Sequence, residues 1–334
     1  MMAIAMMIMF CIAGALLLAL VPNLLWLIGW TVGKVMGHSL SYSPFGWTAI
    51  GIVIFFWLLM GYGFFVGRWN MEVNEVDFVH HDVPDGFDGF RIVHISDLHL
   101  STFDDSPAML NRCINAINAL SPDLVCFTGD LVTVGKSEAE PYADILRGVR
   151  SRYGVVAVLG NHDMLIYGNM FQDETARIEA VDGLVRFEQD VLGWNLLRNQ
   201  SMEIASSEGS KITIIGVDNH NGSKQGFRTI DCGDLPKAVA GTDGFRILLT
   251  HDPSHWTSEV VGSTDIQLTL SGHTHAAQFR LFGWTPSSLM FEHTDGRYDI
   301  GDQSLYVNVG MGCTVPFRLG IPAEITLITL HQDN

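Results

Sequence analysis

The stretch RIVHISDLHL, residues 91–100, begins like a buried strand and ends in polar groups that a protein core disfavours. Asp97 and His99 are two positions apart, and in an extended chain such residues point to the same side. A carboxylate and an imidazole would therefore lie next to each other on one side of the strand, at its end. Alone, either residue is more often a local turn or cap residue, so the pair predicts a metal or proton site only if other groups join it.

Four other predicted strands end in the same kind of residue. Their endings are Gly129-Asp130, Gly160-Asn161-His162-Asp163, Thr250-His251-Asp252 and Gly272-His273-Thr274-His275. Open α/β sheets gather their ligand-binding groups at such strand ends. The candidate metal ligands from the five endings are Asp97, His99, Asp130, Asn161, His251, His273 and His275. We interpret the remaining histidines, such as His94 and His220, as structural.

This donor set consists of carboxylates, one amide oxygen and imidazoles, without a thiolate. It suits manganese, which we favour, or iron, zinc or magnesium, and it does not suit a cysteine-rich structural zinc site. Seven ligands exceed the needs of one tetrahedral ion. Two divalent ions about 3.5–4 Å apart, sharing one carboxylate, would use all of them and leave positions open for water. Such a centre keeps positive charge and would attract phosphate. Glycines 129, 160 and 272 would let the backbone approach the ions closely.

The apolar residues are concentrated at the front of the chain. Residues 1–33 contain no Asp, Glu, Lys or Arg, and residues 47–66 form a second uncharged run. Both runs are long enough to span a bilayer, so we expect transmembrane helices at about 3–30 and 47–66, with Pro22 ending or kinking the first. A secretory signal peptide is the alternative for the first run, but its start lacks Lys and Arg and its apolar part is too long.

This reading divides the chain into a membrane anchor, residues 1–67, and a catalytic domain, residues 68–334. Two spans make a multi-pass inner-membrane protein whose N-terminus and catalytic domain share a compartment. Lys34 and Arg68 balance each other in the count of positive charges that sets orientation. The sequence therefore does not decide on which side of the membrane the catalytic domain lies, and the cytoplasmic side is our working expectation.

Charge and cysteine content exclude other classes of protein. The formal net charge is −17, and no cluster of Lys and Arg occurs, so we expect no nucleic-acid partner. The five cysteines lack CxxC spacing, which favours buried thiols over zinc ligands or a disulfide framework.

The pattern beyond residue 90 predicts an α/β fold. Strands near 91–96, 124–128 and 154–159 alternate with helices predicted at about 106–120 and 137–149, which is the spacing of a parallel sheet built from crossovers. The second half is richer in strands and has few clear helices. A two-sheet sandwich therefore fits better than one doubly wound sheet.

The five strand-end motifs, in this order and spacing, resemble the signature of the calcineurin-like metallophosphoesterases. The resemblance covers residues 91–275, and the flanking segments look like the membrane-anchored bacterial branch of that superfamily. It implies a two-sheet αββα sandwich preceded by a transmembrane hairpin. The branch includes phosphodiesterases and UDP-diacylglucosamine pyrophosphohydrolases, so a phosphorylated and lipid-linked substrate is expected beside the bilayer.

The resemblance also implies a role for each residue. One ion would be held by Asp97, His99 and His275, the other by Asn161, His251 and His273, and Asp130 would bridge them. A metal-bound hydroxide would attack phosphorus, while His162, held by Asp163, would protonate the leaving group. Where many relatives of this branch have two glycines after the last motif, this chain has Ala276 and Ala277, which could narrow the pocket.

Two questions stay open at this stage. The activity could instead be that of a tethered protein phosphatase or nucleotide phosphodiesterase, or the chain could be a metal-binding scaffold without turnover, although the intact His162 and Asp163 argue against a scaffold. The apolar segment from Phe282 to Phe291 could be a lipid-facing lip beside the site or could pack against the core.

Overall fold

The chain divides into two compact units in the computed structural model, which describes residues 2–104, 106–167, 171–220 and 229–333. One unit comprises Met1–Arg68 with the short segment Val315–Leu319. The other comprises Trp69–Thr314 and Gly320–Asn334. The predicted metal ligands all belong to the second unit.

The first unit contains two long apolar helices, Met2–Val35 (α1) and Ser43–Phe65 (α2). They contact each other where the ring of Phe56 packs on Gly14. The first helix continues through Pro22, so of the two alternatives predicted for that residue, an end or a kink, the end does not occur. By length and composition both helices could cross a membrane, and little of either is buried. A core helix of a soluble domain would be mostly buried, so the two helices indicate membrane association.

Within the described residues, the second unit is built on two six-stranded sheets. The first sheet consists of Met71–His80 (β1), Arg91–Ile95 (β2), Leu124–Phe127 (β3), Val155–Ala157 (β4), Asn195–Leu196 (β5) and, from the far end of the chain, Ala323–Gln332 (β12). The second sheet consists of Gln200–Ala205 (β6), Lys211–Gly216 (β7), Phe245–Leu249 (β8), Leu268–Ser271 (β9), Gly296–Ile300 (β10) and Gln303–Val307 (β11).

Both sheets have a parallel centre. The first has the order β1-β12-β2-β3-β4-β5, and β2 to β5 are parallel, as the crossover spacing predicts. The second has the order β10-β11-β9-β8-β7-β6, with β11, β9, β8 and β7 parallel and an antiparallel strand at each edge. The loops that carry the predicted ligands follow the carboxyl ends of these parallel strands.

Helices cover the outer faces of the two sheets. They are Pro107–Ala119 (α3), Ala143–Leu146 (α4), Glu174–Arg186 (α5) and Leu235–Ala238 (α6). Strand β2 shows the alternation behind this layering: Ile92 packs between the sheets, whereas Val93 and Ile95 pack in the cluster that includes α3 and α5. A third apolar cluster joins α6 and the helical turn Trp256–Val260 to the second sheet. The predicted two-sheet αββα sandwich is confirmed.

The helix predicted at about 137–149 is not continuous. The chain forms 3-10 turns at Lys136–Glu138 and Glu140–Tyr142 and then the single turn α4. Pro141 has no backbone N–H, so an α-helix cannot continue through it without losing a hydrogen bond. Helix α5 was not predicted, although Asp173 caps it by accepting a hydrogen bond from the backbone N–H of Ala176.

Candidate metal centre

The structure brings six of the seven predicted ligands within short distances of one another, and the seventh, Asn161, lies with them at the carboxyl ends of the parallel strands. They follow β2, β3, β4, β8 and β9, the strands whose endings carry the sequence motifs. His273 is half-buried and the others are buried. Burial of this many polar groups is costly unless they are paired or bind a metal ion.

The first group of donors is formed by Asp97, His99 and His275. The Nε2 atoms of the two histidines lie 3.2 Å apart. The Oδ1 atom of Asp97 is 3.2 Å from Nε2 of His275 and 3.8 Å from Nε2 of His99. Two ligands of one ion, each about 2.1 Å from it, lie about 3–3.4 Å apart in tetrahedral or octahedral geometry. The two distances of 3.2 Å fit one metal ion, and the distance of 3.8 Å between Asp97 and His99 is slightly wider than this range.

A second group lies beside the first and shares Asp130 with it. The Nε2 atom of His251 is 3.1 Å from Nδ1 of His273 and 3.2 Å from Oδ2 of Asp130. The same Oδ2 is 3.5 Å from Nε2 of His99, which belongs to the first group. The other oxygen of Asp130 accepts the backbone N–H of His162 at 2.8 Å. One carboxylate oxygen thus faces both groups of imidazole nitrogens.

Hydrogen bonds fix which atoms face the centre. The Nδ1 atom of His251 donates a hydrogen bond to the carbonyl oxygen of Thr128 at 2.7 Å, so Nε2 is the ring nitrogen that faces the centre. The amide nitrogen of Asn161 donates to the hydroxyl of Tyr167 at 2.7 Å, which leaves its Oδ1 as the remaining acceptor. Within the described residues, Asn161 Oδ1 and Asp97 Oδ1 are buried without a hydrogen-bond partner. Atoms of this kind are suited to a cation.

The backbone around the centre is strained. Five of the seven predicted ligands have left-handed φ angles: Asp97 at 51°, His99 at 39°, Asp130 at 60°, His273 at 75° and His275 at 49°. Such conformations are costly for residues other than glycine and are found mainly where function requires them. The left-handed backbone conformations turn the side chains of these five residues toward the centre.

Two glycines let neighbouring loops approach the carboxylates. A Cβ atom at Gly160 would lie 2.2 Å from Oδ1 of Asp130, and one at Gly272 would lie 2.4 Å from Oδ2 of Asp97. Both distances are far below van der Waals contact, so no other residue fits without moving the ligand.

The charges of the site call for a cation. Although burial acts in the opposite direction, neighbouring imidazoles hold the pKa values of Asp97 and Asp130 well below their usual range. Burial lowers the pKa of His273 to about 4 and that of His99 well below its usual value. Burial also acts to lower the pKa of His251, but the charge of Asp130 raises it to about 10. Two buried carboxylates thus remain ionised and attract positive charge.

His162 and Asp163 do not interact as predicted. The Nδ1 atom of His162 bonds to the carbonyl oxygen of Thr133 at 2.8 Å. The carboxylate of Asp163 instead accepts backbone N–H groups of Asp130, Val132 and Gly160 at 2.6, 3.2 and 3.0 Å. The expectation that Asp163 holds His162 is therefore wrong. Asp163 holds the loop that carries Asp130, and a backbone carbonyl orients His162.

Sequence reasoning did not assign Tyr167 or the carbonyls of Thr128 and Thr133 to the site, and it left the position of the segment from Phe282 to Phe291 open. The ring of Tyr167 packs against the ring of His162 with centroids 4.4 Å apart, in addition to its bond with Asn161. The ring of Phe291 meets His273 edge to face at 5.3 Å. Tyr167 lies four residues after the GNHD motif, and this closeness in sequence was the available signal. The carbonyls of Thr128 and Thr133 carry no signal in a sequence.

The buried oxygen and nitrogen donors at the strand ends of this two-sheet α/β sandwich suit divalent metal ions, and centres of such ions suit phosphate chemistry. The model of the family described as calcineurin-like phosphoesterase matches residues 90–277. The uncharacterized metallophosphoesterase YkuE of Bacillus subtilis is 32% identical over 82% of this chain and 90% of its own length. The chain belongs to the calcineurin-like phosphoesterase family, and it is accordingly a phosphoester hydrolase with a divalent-metal centre.

Two further similar proteins differ in their identity to this chain and in the share of each chain that is covered. A transmembrane protein with metallophosphoesterase domain from Danio rerio is 29% identical over 90% of this chain and 68% of its own length. A solved dimetal phosphatase from Danio rerio is 12% identical, covers 67% of this chain and 88% of its own, and aligns with a TM-score of 0.35.

Proposed function

We propose that the chain is a membrane-anchored phosphoesterase with two metal ions that hydrolyses a phosphodiester or pyrophosphate bond in a lipid-linked substrate. The position of Asp130 carries the proposal, because its Oδ2 atom is 3.5 Å from Nε2 of His99 and 3.2 Å from Nε2 of His251. A carboxylate oxygen between two groups of ligands suits a pair of ions that share it.

The donors would divide between two ions. Asp97, His99 and His275 would hold the first, Asn161, His251 and His273 the second, and Asp130 both. Manganese is our first choice, because the donors are oxygen and imidazole nitrogen without sulfur. The left-handed backbone at five of these residues supports the assignment, since such strain gathers at functional sites.

The residues around the ions supply the remaining chemistry. When bound, the ions neutralise phosphoryl oxygens and lower the pKa of a water molecule. The Nδ1–H group of His162 donates to the carbonyl oxygen of Thr133, which can only accept, so the proton that His162 exchanges is on Nε2. An imidazolium in this position donates that proton to the oxygen of the departing group. Asp163 keeps the backbone of Asp130 in place for the whole cycle.

The helices α1 and α2 support the choice of a lipid-linked substrate. An enzyme anchored in a bilayer meets lipid-linked phosphates at high local concentration, whereas it gains no such advantage for substrates free in water. The anchor thus favours a substrate that shares the membrane.

The test uses the full chain reconstituted in lipid nanodiscs. Metal analysis should give close to two transition-metal ions per chain, and chelation should abolish turnover until manganese is restored. UDP-diacylglucosamine and phospholipids should be hydrolysed with a higher kcat/KM than their water-soluble headgroups. A preference for phosphopeptides or soluble nucleotides would support a tethered protein phosphatase or nucleotide phosphodiesterase instead. Full activity after complete demetallation would contradict the proposal.

A further inference from the structure

Five large apolar side chains are exposed within the ten residues Leu281–Met290, which we call the apolar lip. They are those of Leu281, Phe282, Trp284, Leu289 and Met290. The side chain of Phe282 is 99% exposed and that of Leu289 is 78% exposed. Single apolar residues are normal on a protein surface, but a group of this size and density marks an interaction site.

The backbone holds the tip of the lip in a defined shape. Leu281 and Trp284 exchange backbone hydrogen bonds of 2.9 and 3.0 Å. Between them, Phe282 and Gly283 both have left-handed φ angles, 51° and 82°, as in a tight hairpin turn. A left-handed conformation is unfavourable for phenylalanine, and the turn places its ring in full contact with solvent. Phe282 is therefore unfavourable in two respects, its left-handed backbone conformation and the exposure of its apolar ring.

We propose that the apolar lip inserts into the interfacial region of a lipid bilayer. Tryptophan and phenylalanine are well suited to that region, where apolar surface and headgroups meet. Residues 279–291 contain no Asp or Glu, although the whole chain has a formal net charge of −17. The lip itself thus carries no negative charge that an anionic membrane would repel. The inference rests on the proposed membrane anchoring, since α1 and α2 bring the chain to a bilayer.

The lip is connected to the metal centre at both ends. Its first residue follows the predicted ligand His275 by six positions, and the next residue after it, Phe291, packs edge to face on His273 at 5.3 Å. Phe291 itself is buried, so the exposed segment ends where the site begins. Contact between the lip and a bilayer would keep the centre close to the phosphate groups of membrane lipids.

Environment-sensitive labels on the full chain test this contact. Phe282→Cys is labelled with a nitrobenzoxadiazole dye in nanodiscs of phosphatidylethanolamine and phosphatidylglycerol, and wild-type protein treated in parallel corrects for labelling of native cysteines. Leu289→Cys is a second site that leaves Phe282 intact. Ile300→Cys is the matched control, because Ile300 is an exposed apolar residue on β10 outside the lip.

The expected result is a blue-shifted emission and a loss of fluorescence with brominated lipid for both lip labels, with neither effect at Ile300. Lip labels that respond like the control would overturn the inference. So would lip labels that are shielded from aqueous iodide but not quenched by brominated lipid, because a protein such as a second copy would then cover the lip. Turnover of lipid-linked substrates is measured in the same nanodiscs. Quenched lip labels without such turnover would contradict the proposed substrate and leave the bilayer contact supported.

Discussion

The carboxylate of Asp163 accepts the backbone N–H of Asp130 at 2.6 Å, so a residue predicted to assist catalysis holds a predicted metal ligand in place. The same carboxylate accepts N–H groups from Val132 and Gly160, and it thereby ties the loops after β3 and β4 together. Burial, followed by the charge of Asp130, raises the pKa of Asp163 to about 7. Asp163 acts through the position of the backbone.

Replacing Asp163 should therefore weaken metal binding. In Asp163→Asn an amide NH₂ group takes the place of one acceptor oxygen and meets backbone N–H donors. We expect metal affinity to fall about 10–100-fold, as for other groups that orient metal ligands. Titration of demetallated protein with manganese measures the effect. Unchanged affinity with reduced turnover would show instead that Asp163 acts on His162.

Replacing His162 should separate proton transfer from metal binding. His162→Asn is expected to keep nearly normal metal content while turnover falls about 10²- to 10⁴-fold, the range for a lost general acid. The loss should be largest for substrates whose leaving groups need a proton. Turnover of aryl and alkyl phosphodiesters checks this, and equal losses for both would indicate that His162 contributes only charge or structure.

Asp97 and Asp130 should respond differently to the same substitution. In the predicted assignment Asp97 serves one ion, so activity lost in Asp97→Asn should be partly restored by excess metal. Asp130 offsets the repulsion between two dications about 3.5–4 Å apart, and a neutral amide cannot replace that charge. Asp130→Asn should lose the paired site and resist rescue. Metal content and rate as a function of metal concentration give the comparison.

His94→Ala is the control for this pair of variants. His94 is buried beside the site, but its Nε2 bonds to the hydroxyl of Thr128 and it belongs to neither group of donors. It should affect folding and leave metal stoichiometry unchanged. If Asp130→Asn instead retained two ions and normal turnover, the bridging assignment would be wrong.

Glu188 should make stability depend on pH. Burial, followed by the charge of Asp163, raises its pKa well above the usual 4.5, and within the described residues neither carboxylate oxygen has a hydrogen-bond partner. The folded state holds the proton more tightly than the unfolded state, so stability falls as pH rises from about 4.5 through the raised pKa. Glu188→Gln removes this loss. The Tm of the variant minus that of wild type should increase as the pH rises above about 4.5, and a constant difference would contradict the assignment.

Ala277→Gly should stabilise the protein slightly. Ala277 is exposed and has a φ of 52°, a left-handed conformation that costs residues other than glycine about 1–2 kcal/mol. The larger entropy of unfolded glycine offsets about 0.5–1 kcal/mol, so a net gain of up to about 1.5 kcal/mol is expected. Thermal or urea unfolding measures it. Ala180→Gly within helix α5 is the control and should destabilise by about 1 kcal/mol.

The family, the enzyme class and the two-sheet fold could be predicted because they depend on features visible in a sequence. Apolar strands can be recognised from their runs of apolar residues, and the donors that follow them are side-chain types with known metal chemistry. The partners of His162 and Asp163 could not be predicted, because they are a backbone carbonyl oxygen and three backbone N–H groups. Nearly every residue has both groups, so residue type does not indicate which of them a side chain will contact. The left-handed φ values of Ala276 and Ala277 could not be predicted either, because such conformations favour glycine over alanine.

The sequence did not decide whether the apolar segment after the last motif is exposed or buried, for a similar reason. Apolar content alone does not distinguish a core residue from an exposed one. The structure contains both, since Phe282 is exposed and Phe291 is buried against the second group of donors. Turn geometry at Phe282 decides its exposure, and that geometry lay outside what the composition of the segment could predict.

The position of β12 has a consequence for the order of folding during synthesis. Strand β1 is an edge strand whose single neighbour in the sheet is β12, and Asn74 on β1 bonds to Glu324 on β12 across 250 positions of sequence. β12 also separates β1 from β2. A ribosome therefore releases β1 long before the strand that must pair with it exists, and β2 to β5 can associate in the meantime. The first sheet closes last at this edge, in a step that has to bring together distant parts of the chain.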